Sequence, residues 1–331
     1  MVKSVAIVGA GVSGLTCAVL FAERSYRTVI FAEETGERTT SAAAAAMWYP
    51  YDAEPADSVI AWALETYKVL VGLSRDSQTG VSMIELCCFS RAGEIPIPEW
   101  AIPLGAKRLV REMLPAFNSG FAIAIPLMDT TIYLDYLTNR FVNAGGSING
   151  NVRFENLEKV DPKFDLVINC AGIGAKMPLP DVDLEPHRGQ VAIVPKLDLG
   201  HAVVCDDFPL MYAIPRANDC VFGGTNELSD NRDVDPATTL RIVAGCSRVL
   251  KIDKPKVLAE RVGLRPFRKS GVRVEREKLR DGRTVIHNYG HGGSGFTLSW
   301  GCAKKVFDVA SSPPKQIRAV KFRSARLPGK S

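Results

Sequence analysis

Near its start the chain carries a short, valine-rich apolar run, Lys3–Val8, closed by a glycine. Such a run, without polar alternation, predicts a parallel strand buried on both faces. Helical periodicity follows over Val12–Glu23 through Leu15, Val19 and Ala22, and then a second β-branched run, Thr28–Ala32. Together these predict one βαβ unit. Ser58–Leu73 reads as an amphipathic helix with Ile60, Leu64, Tyr67 and Val71 on one stripe. Thr131–Ala144 reads as another, opened by Asp129 and stopped by Gly145-Gly146. Phe164–Asn169 is a further buried strand, ending in Cys170-Ala171-Gly172.

Between about 190 and 225 the pattern turns to β-rich runs at Gln190–Val194, Met211–Ile214 and Cys220–Phe222. Asp235-Pro236 opens a helix reaching Leu250, because proline suits the first helical turn. Thr284–Asn288 predicts a strand and Gly295–Ala310 the last helix. Strand–helix alternation thus occupies both ends and a β-rich stretch the middle, with no internal repeat. The fold class expected is α/β, and 331 residues suit roughly two domains.

Composition is that of an ordinary globular protein, 46% apolar and 23% charged. The net charge of +5 is local: without the six basic residues of 315–331, 35 basic side chains face 36 acidic ones. A short basic tail reads as a solvated terminus, so no nucleic-acid partner is expected. The eight cysteines lie scattered without a CxxC pair or Cys/His ligand spacing, which predicts reduced core thiols and no metal. No apolar run approaches the ~18 residues of a membrane span. Met1–Ala22 imitates a signal peptide, but its glycines have another use, described next. An intracellular protein is expected, cytoplasmic, or peroxisomal in a eukaryote, although Gly329-Lys330-Ser331 is no peroxisomal address.

Gly9-Ala10-Gly11-Val12-Ser13-Gly14 is G-x-G-x-x-G between a predicted strand and helix. Gly9 makes the tight turn, Gly11 lets a pyrophosphate approach the backbone, and Gly14 lets helix and strand pack closely. Phosphates then sit at the helix N-terminus, against free N–H groups and a positive dipole end. Glu33, with Glu34 beside it, ends the second strand and can accept hydrogen bonds from ribose hydroxyls, disfavouring NADP. These residues leave NAD and FAD both open. The chain then runs from Trp48 to Val152 before another buried strand is predicted, which suits a flavoprotein with an inserted domain.

Segments VAIVGAGVSGL (5–15), AMWYPY (46–51), NCAGIGA (169–175), RGQ (188–190), MYAIPR (211–216), GGT (223–225), VGLRPFR (262–268) and HNYGHGGSGFTLSWG (287–301) occur in this order. The chain resembles the D-amino-acid oxidase and D-aspartate oxidase family in these segments. The resemblance implies a Rossmann-like FAD-binding domain at 1–50, 151–189 and 272–331. It implies an inserted β-rich α+β substrate domain at 51–150 and 190–271. The implied reaction is hydride transfer from the α-carbon of a D-amino acid to flavin N5, giving an imino acid, then keto acid and ammonia, with oxygen reduced to hydrogen peroxide.

Arg265 lies in Val-Gly-Leu-Arg-Pro and matches the arginine that binds the substrate carboxylate; a guanidinium supplies the planar, permanently charged fork this needs. Tyr212 matches a tyrosine touching the same carboxylate, and Gly293 a backbone carbonyl accepting the amine. Two fixed points and a hydrogen aimed at the flavin account for selection of one hand, with positioning carrying most of the rate. No general base is required, and His291 is expected to be structural.

The resemblance also places Thr40, Ser41, Ala45, Ala46 and Met47 around pyrophosphate and isoalloxazine, with Ala46 standing where some relatives have glycine. Phe154, Cys170, Ala171, Gly172, Arg265 and Gly292 to Phe296 (Gly292, Gly293, Ser294, Gly295, Phe296) join the cofactor set, and Thr297 is expected at the flavin pyrimidine carbonyl.

For the substrate side chain, Met47, Tyr49, Tyr51, Phe208 and Ile214 predict an apolar, aromatic pocket. Asn226 stands where D-aspartate oxidases carry arginine after Gly-Gly-Thr. Neutral, apolar D-amino acids are therefore expected. Asp206-Asp207 could attract basic substrates, but paired acids on a loop are usually only solvated. Partners are then a D-amino acid and oxygen, with no membrane, and a homodimer remains open. Glycine or sarcosine oxidase, D-aspartate oxidase, an NAD-dependent dehydrogenase and a non-enzymic nucleotide sensor are the competing readings.

Overall fold

A strand covered on both faces needs an apolar side chain at every position, and β1 (Ser4–Val8) is buried throughout. In the computed structural model, which describes residues 3–51, 53–110, 116–177 and 180–313, β1 pairs in parallel with β2 (Arg27–Ala32) on one side. On its other side it pairs in parallel with β7 (Leu166–Asn169). The basic tail at 315–331 lies outside the described residues. The connection from β1 to β2 is α1 (Val12–Ala22). Strand order in this six-stranded sheet is β14 (Arg273–Lys278), β15 (Thr284–Tyr289), β7, β1, β2 and β6 (Ser147–Gly150).

One face of the sheet carries α1, α3 (Thr130–Asn143) and α5 (Gly295–Ser311), with α2 (Ala56–Leu73) packed on α5. The other face is closed by Leu157, Val160, Phe164 and Leu279 over Ala6, Val8 and Val167. The stripe that faces the core in α2 is Val59, Ala63, Thr66 and Leu70. The larger Ile60, Leu64, Tyr67 and Val71, which periodicity pointed inward, are only half-buried. The reason is a close helix crossing: a Cβ on Gly301 of α5 would stand 2.1 Å from the Trp62 carbonyl oxygen. Small residues must line such a contact, and Thr66 Oγ1 accepts the Gly301 N–H at 2.9 Å across it.

The second sheet is mostly antiparallel. It contains β3 (Val81–Ser90), β4 (Lys107–Arg108), β5 (Ser119–Met128), β8 (Leu184–Pro195), β9 (His201–Cys205), β10 (Met211–Pro215), β11 (Asp219–Gly223), β12 (Glu227–Leu228) and β13 (Ala259–Arg268). α4 (Pro236–Leu250) covers one face with Ile242, Val243 and Cys246, and Asp235 caps it by accepting from the Ala237 N–H. The other face joins one continuous core with the helices of the first sheet.

Two departures from the sequence reading follow. Buried strands β3 and β5 lie inside the stretch from Trp48 to Val152, where none was expected. The divisions at 50/51, 150/151 and 189/190 also cut across packing. Within 51–150, α2, α3 and β6 associate with the first sheet and its helices, and β8 joins the second sheet from Leu184. Among the described residues no helix is long and apolar enough to cross a membrane.

Candidate active site

The carboxyl ends of β1, β2 and β7 open onto a cavity of about 680 Å³ whose opposite wall is formed by β8, β10 and β13. Its size lies within the ~300–1,000 Å³ of small-molecule and cofactor sites. The glycine turn forms its floor. Gly9 has φ +110°, open to glycine at little cost, and a Cβ there would meet the Cys170 carbonyl oxygen at 2.4 Å. A Cβ on Gly14 would lie 2.0 Å from the Gly9 carbonyl oxygen, so Gly14 seats the helix against the turn and does not itself line the cavity. The first turn of α1 carries no acid, and Ser41 Oγ accepts the Val12 N–H at 3.0 Å. This is a polar, anion-receptive end that bare backbone can approach, and it fits a bound pyrophosphate.

Gly9 to Ser13, Thr40, Ser41, Ala45, Ala46, Met47, Phe154 and Cys170 to Gly172 line the cavity as predicted. Glu33 and Glu34 line it too, each shared with a cation that sequence reasoning missed. Glu33 Oε1 accepts from Arg153 Nη1 at 3.0 Å and Glu34 Oε1 from Arg232 Nη1 at 2.6 Å. Neither pair saturates a carboxylate, whose two oxygens offer about four acceptor positions.

Deeper in, Arg265 projects from β13. Its Nη1 donates to Thr225 O at 2.9 Å and to Asn226 Oδ1 at 3.4 Å. The guanidinium lies flat on Gly189: a Cβ there would stand 2.5 Å from both terminal nitrogens. Gly189 is the centre of Arg-Gly-Gln, and its lack of a side chain makes room for the guanidinium. The signal was present, since a glycine in a strong strand marks close approach. Tyr212 is half-buried in the cavity wall and hydrogen-bonded to Arg265; burial raises its pKa, and the guanidinium partly offsets this, so the phenol is neutral. Its ring crosses Gly223 on β11, directly opposite in register, where a Cβ would come within 1.9 Å of Cζ.

Tyr49, Tyr51, Ile214 and Gly293 also line the cavity. Gly293 is glycine because the Tyr51 ring lies on it, 2.7 Å from where a Cβ would be. Burial raises the Tyr49 pKa above the usual phenol range, with smaller contributions from Cys88 and Asp206. His291 lines the cavity, hydrogen-bonded through Nε2 to Asn288 Oδ1 at 3.1 Å. Burial pushes its pKa down to about 4, so the ring is neutral and has no charge to offer.

Four other predicted residues do not line the cavity. Thr297 Oγ1 donates to Tyr49 O at 3.0 Å and accepts the Tyr49 N–H at 3.1 Å, so its hydroxyl clasps backbone and not a cofactor carbonyl. Ser294 Oγ does the same for Tyr51, accepting its N–H at 2.8 Å. Both sit at the start of α5 and hold the Tyr49–Tyr51 segment over the cavity. Asn226 reaches the site only through Arg265 and, at 3.5 Å, the Tyr51 hydroxyl. Phe208 is 96% exposed and stands in solvent, because its loop is anchored on the opposite side by Asp207. Asp207 is not simply solvated, since it accepts from Ser90 Oγ at 2.9 Å and from the Ala92 N–H at 3.0 Å. Asp206 lines the cavity.

The family described as FAD dependent oxidoreductase (DAO) matches residues 4–309. The chain belongs to this family. FAD is accordingly its cofactor, and the glycine cradle fits it. Among FAD dependent oxidoreductases, the D-amino-acid oxidase of Rubrobacter xylanophilus is 39% identical over 321 residues, covering 94% of this chain and 97% of that one. The D-amino-acid oxidase of Streptomyces coelicolor is 36% identical, covering 93% and 96%. Human D-aspartate oxidase is 31% identical, covering 95% and 96%. The fold is similar to glycine oxidase from Geobacillus kaustophilus, with TM-score 0.80 at 18% identity over 99% of this chain and 100% of that one.

Proposed function

We propose that this chain is a D-amino-acid oxidase acting on D-amino acids with uncharged or cationic, not acidic, side chains. The overall reaction converts the amino acid, oxygen and water to a keto acid, ammonia and hydrogen peroxide. FAD supplies the electron acceptor, taking two electrons from the substrate and passing them to oxygen. Gly9 to Ser13 and Ser41 would hold its pyrophosphate, and Glu33 and Glu34 its ribose. The elements around β1, β2, β7 and α5 form the cofactor half, and the second sheet the substrate half.

The observation that carries this reading is the Arg265–Tyr212 pair, enclosed in the same cavity as the glycine turn. The guanidinium receives the substrate carboxylate in a charge-assisted hydrogen bond worth about 1.5–3 kcal/mol, and the Tyr212 hydroxyl adds a second donor. The Gly293 carbonyl receives the amine. With both ends of the zwitterion held, only one hand directs its α-hydrogen at the cofactor. No side chain is needed as a base, in keeping with His291, whose lowered pKa makes it a weak one and whose Nε2 is engaged by Asn288 Oδ1. Met47, Tyr49, Tyr51 and Ile214 offer a largely apolar wall, and position 226 is a neutral asparagine that supplies no cation of its own for a second carboxylate.

A peroxide assay over D- and L-amino acids tests the proposal. D-alanine, D-valine and D-methionine should be oxidised faster than D-aspartate, and L-enantiomers not at all. Faster turnover of D-aspartate would refute the substrate class.

A further inference from the structure

The connection between β9 and β10 spans 206–210 and places two acids in different settings. Asp207 is committed to the exit of β3, where Ser90 Oγ and the N–H groups of Arg91 and Ala92 donate to it. Arg91 Nη1 ties the same loop by donating to Asp207 O and Pro209 O, each at 3.1 Å. With Asp207 held on that side, Asp206 is turned into the cavity, beside Tyr49, Leu210 and Tyr212. Among the described residues nothing donates a hydrogen bond to the Asp206 carboxylate, and no cation pairs with it.

Its charge is felt inside the site. Burial chiefly raises the Tyr49 and Tyr212 phenols and the Cys88 thiol; Asp206 adds a smaller contribution to each, and Arg265 partly offsets the rise at Tyr212. Asp206, Tyr212 and Arg265 line the same cavity, which thus carries a cation and an anion. The cation has its partner in the substrate carboxylate; the anion has none in the protein. Asp206 is exposed to solvent where it lines the cavity, so its carboxylate carries no large burial cost and attracts a cationic ligand group by charge.

We propose that Asp206 is a specificity residue that selects D-amino acids whose side chain ends in a cation, the D-lysine and D-arginine class. The inference rests on the D-amino-acid oxidase reading and refines the apolar pocket expected from sequence. The stem of a lysine or arginine is itself apolar and packs along Tyr49, Leu210 and Ile214, while the charged head reaches the carboxylate. An acidic substrate meets repulsion at the same point.

The test compares kcat/KM for D-lysine, D-arginine and the neutral D-methionine in the FAD-loaded enzyme and in Asp206→Asn, with Asp206→Glu as the conservative variant. The wild-type enzyme should prefer the cationic substrates. In Asp206→Asn the ratio of D-lysine to D-methionine should fall roughly ten- to hundredfold, as expected for loss of a charge-assisted hydrogen bond, and Asp206→Glu should retain most of it. Equal losses for D-lysine and D-methionine would overturn the proposal, since they would mean that Asp206 holds the α-ammonium group common to both. A wild-type preference for D-methionine that Asp206→Asn leaves unmoved would also overturn it. If no D-amino acid of any kind is oxidised, the underlying oxidase reading fails, and that result is distinguishable from either of the others.

Discussion

Ala46 lines the cavity and lies in the left-handed region at φ +51°. An L-residue there is strained by about 1–2 kcal/mol, against ~0.5–1 kcal/mol of extra chain entropy that glycine loses on folding. Ala46→Gly should therefore stabilise the protein by roughly 0.5–1 kcal/mol, seen as a higher urea midpoint; an unchanged or lower midpoint would contradict this. Placement in the cavity was legible where a motif marked the residue. Arg265 and Tyr212 were found from their neighbours in sequence, and both lie together in the cavity. Phe208 was misjudged, and the cavity position of Asp206 was not legible, for a common reason. They belong to a connection, where no period tells which side a residue faces, and the direction was set by Asp207 bonding to the distant Ser90–Ala92 turn. Thr297 was correctly placed at the helix start, but its hydroxyl is already used by Tyr49.

At the scale of elements, the close crossing of α2 and α5 makes a definite stability prediction. Gly301→Ala would push a methyl group into the Trp62 backbone, and overpacking of this kind costs about 1–3 kcal/mol. A thermal melt of the holoenzyme should show a clearly lowered midpoint; an unchanged one would mean the helices separate freely. The same crossing explains why the predicted stripe of α2 was displaced by one position. Periodicity ranks large apolar residues first, but a tight contact selects Ala63 and Thr66. The βαβ unit and the capped α4 were legible because strand, turn and cap signals agree there. β5 was missed because Pro126 interrupts its apolar run and demotes it as a strand. β3 was missed because its first half carries exposed Ser82, Met83 and Glu85, so neither alternation nor an unbroken apolar run appears.

Across the whole molecule, one core runs from the helical layer to the inner face of the second sheet, and the cavity lies where the two sheets meet. Sequence showed strand–helix alternation at both ends and a β-rich middle, but not that β6 and α3 return to the first sheet and its helices from within the stretch assigned elsewhere. The buried histidines set an acid limit on the assembly. His291 titrates ordinarily at 6.5, but burial holds it at about 4 in the fold, and His287, buried likewise, is also held at about 4. Between those values the unfolded chain binds more protons than the folded one, so stability falls as pH drops from about 6.5 toward 4, by a few kcal/mol in order of magnitude. Urea midpoints should be lower at pH 5 than at pH 7, with a shallower fall in His291→Asn; identical slopes would exclude His291 as a source.

The proposed activity depends most on a carboxylate clamp at Arg265 serving a substrate of one hand. Anaerobic titration of the FAD-loaded protein with D- and L-methionine, followed by the visible flavin absorbance, tests it directly. D-methionine should bleach the flavin, L-methionine should not, and Arg265→Met should need at least about tenfold more D-methionine for the same rate. Bleaching by both enantiomers, or an Arg265→Met variant with unaltered concentration dependence, would contradict it.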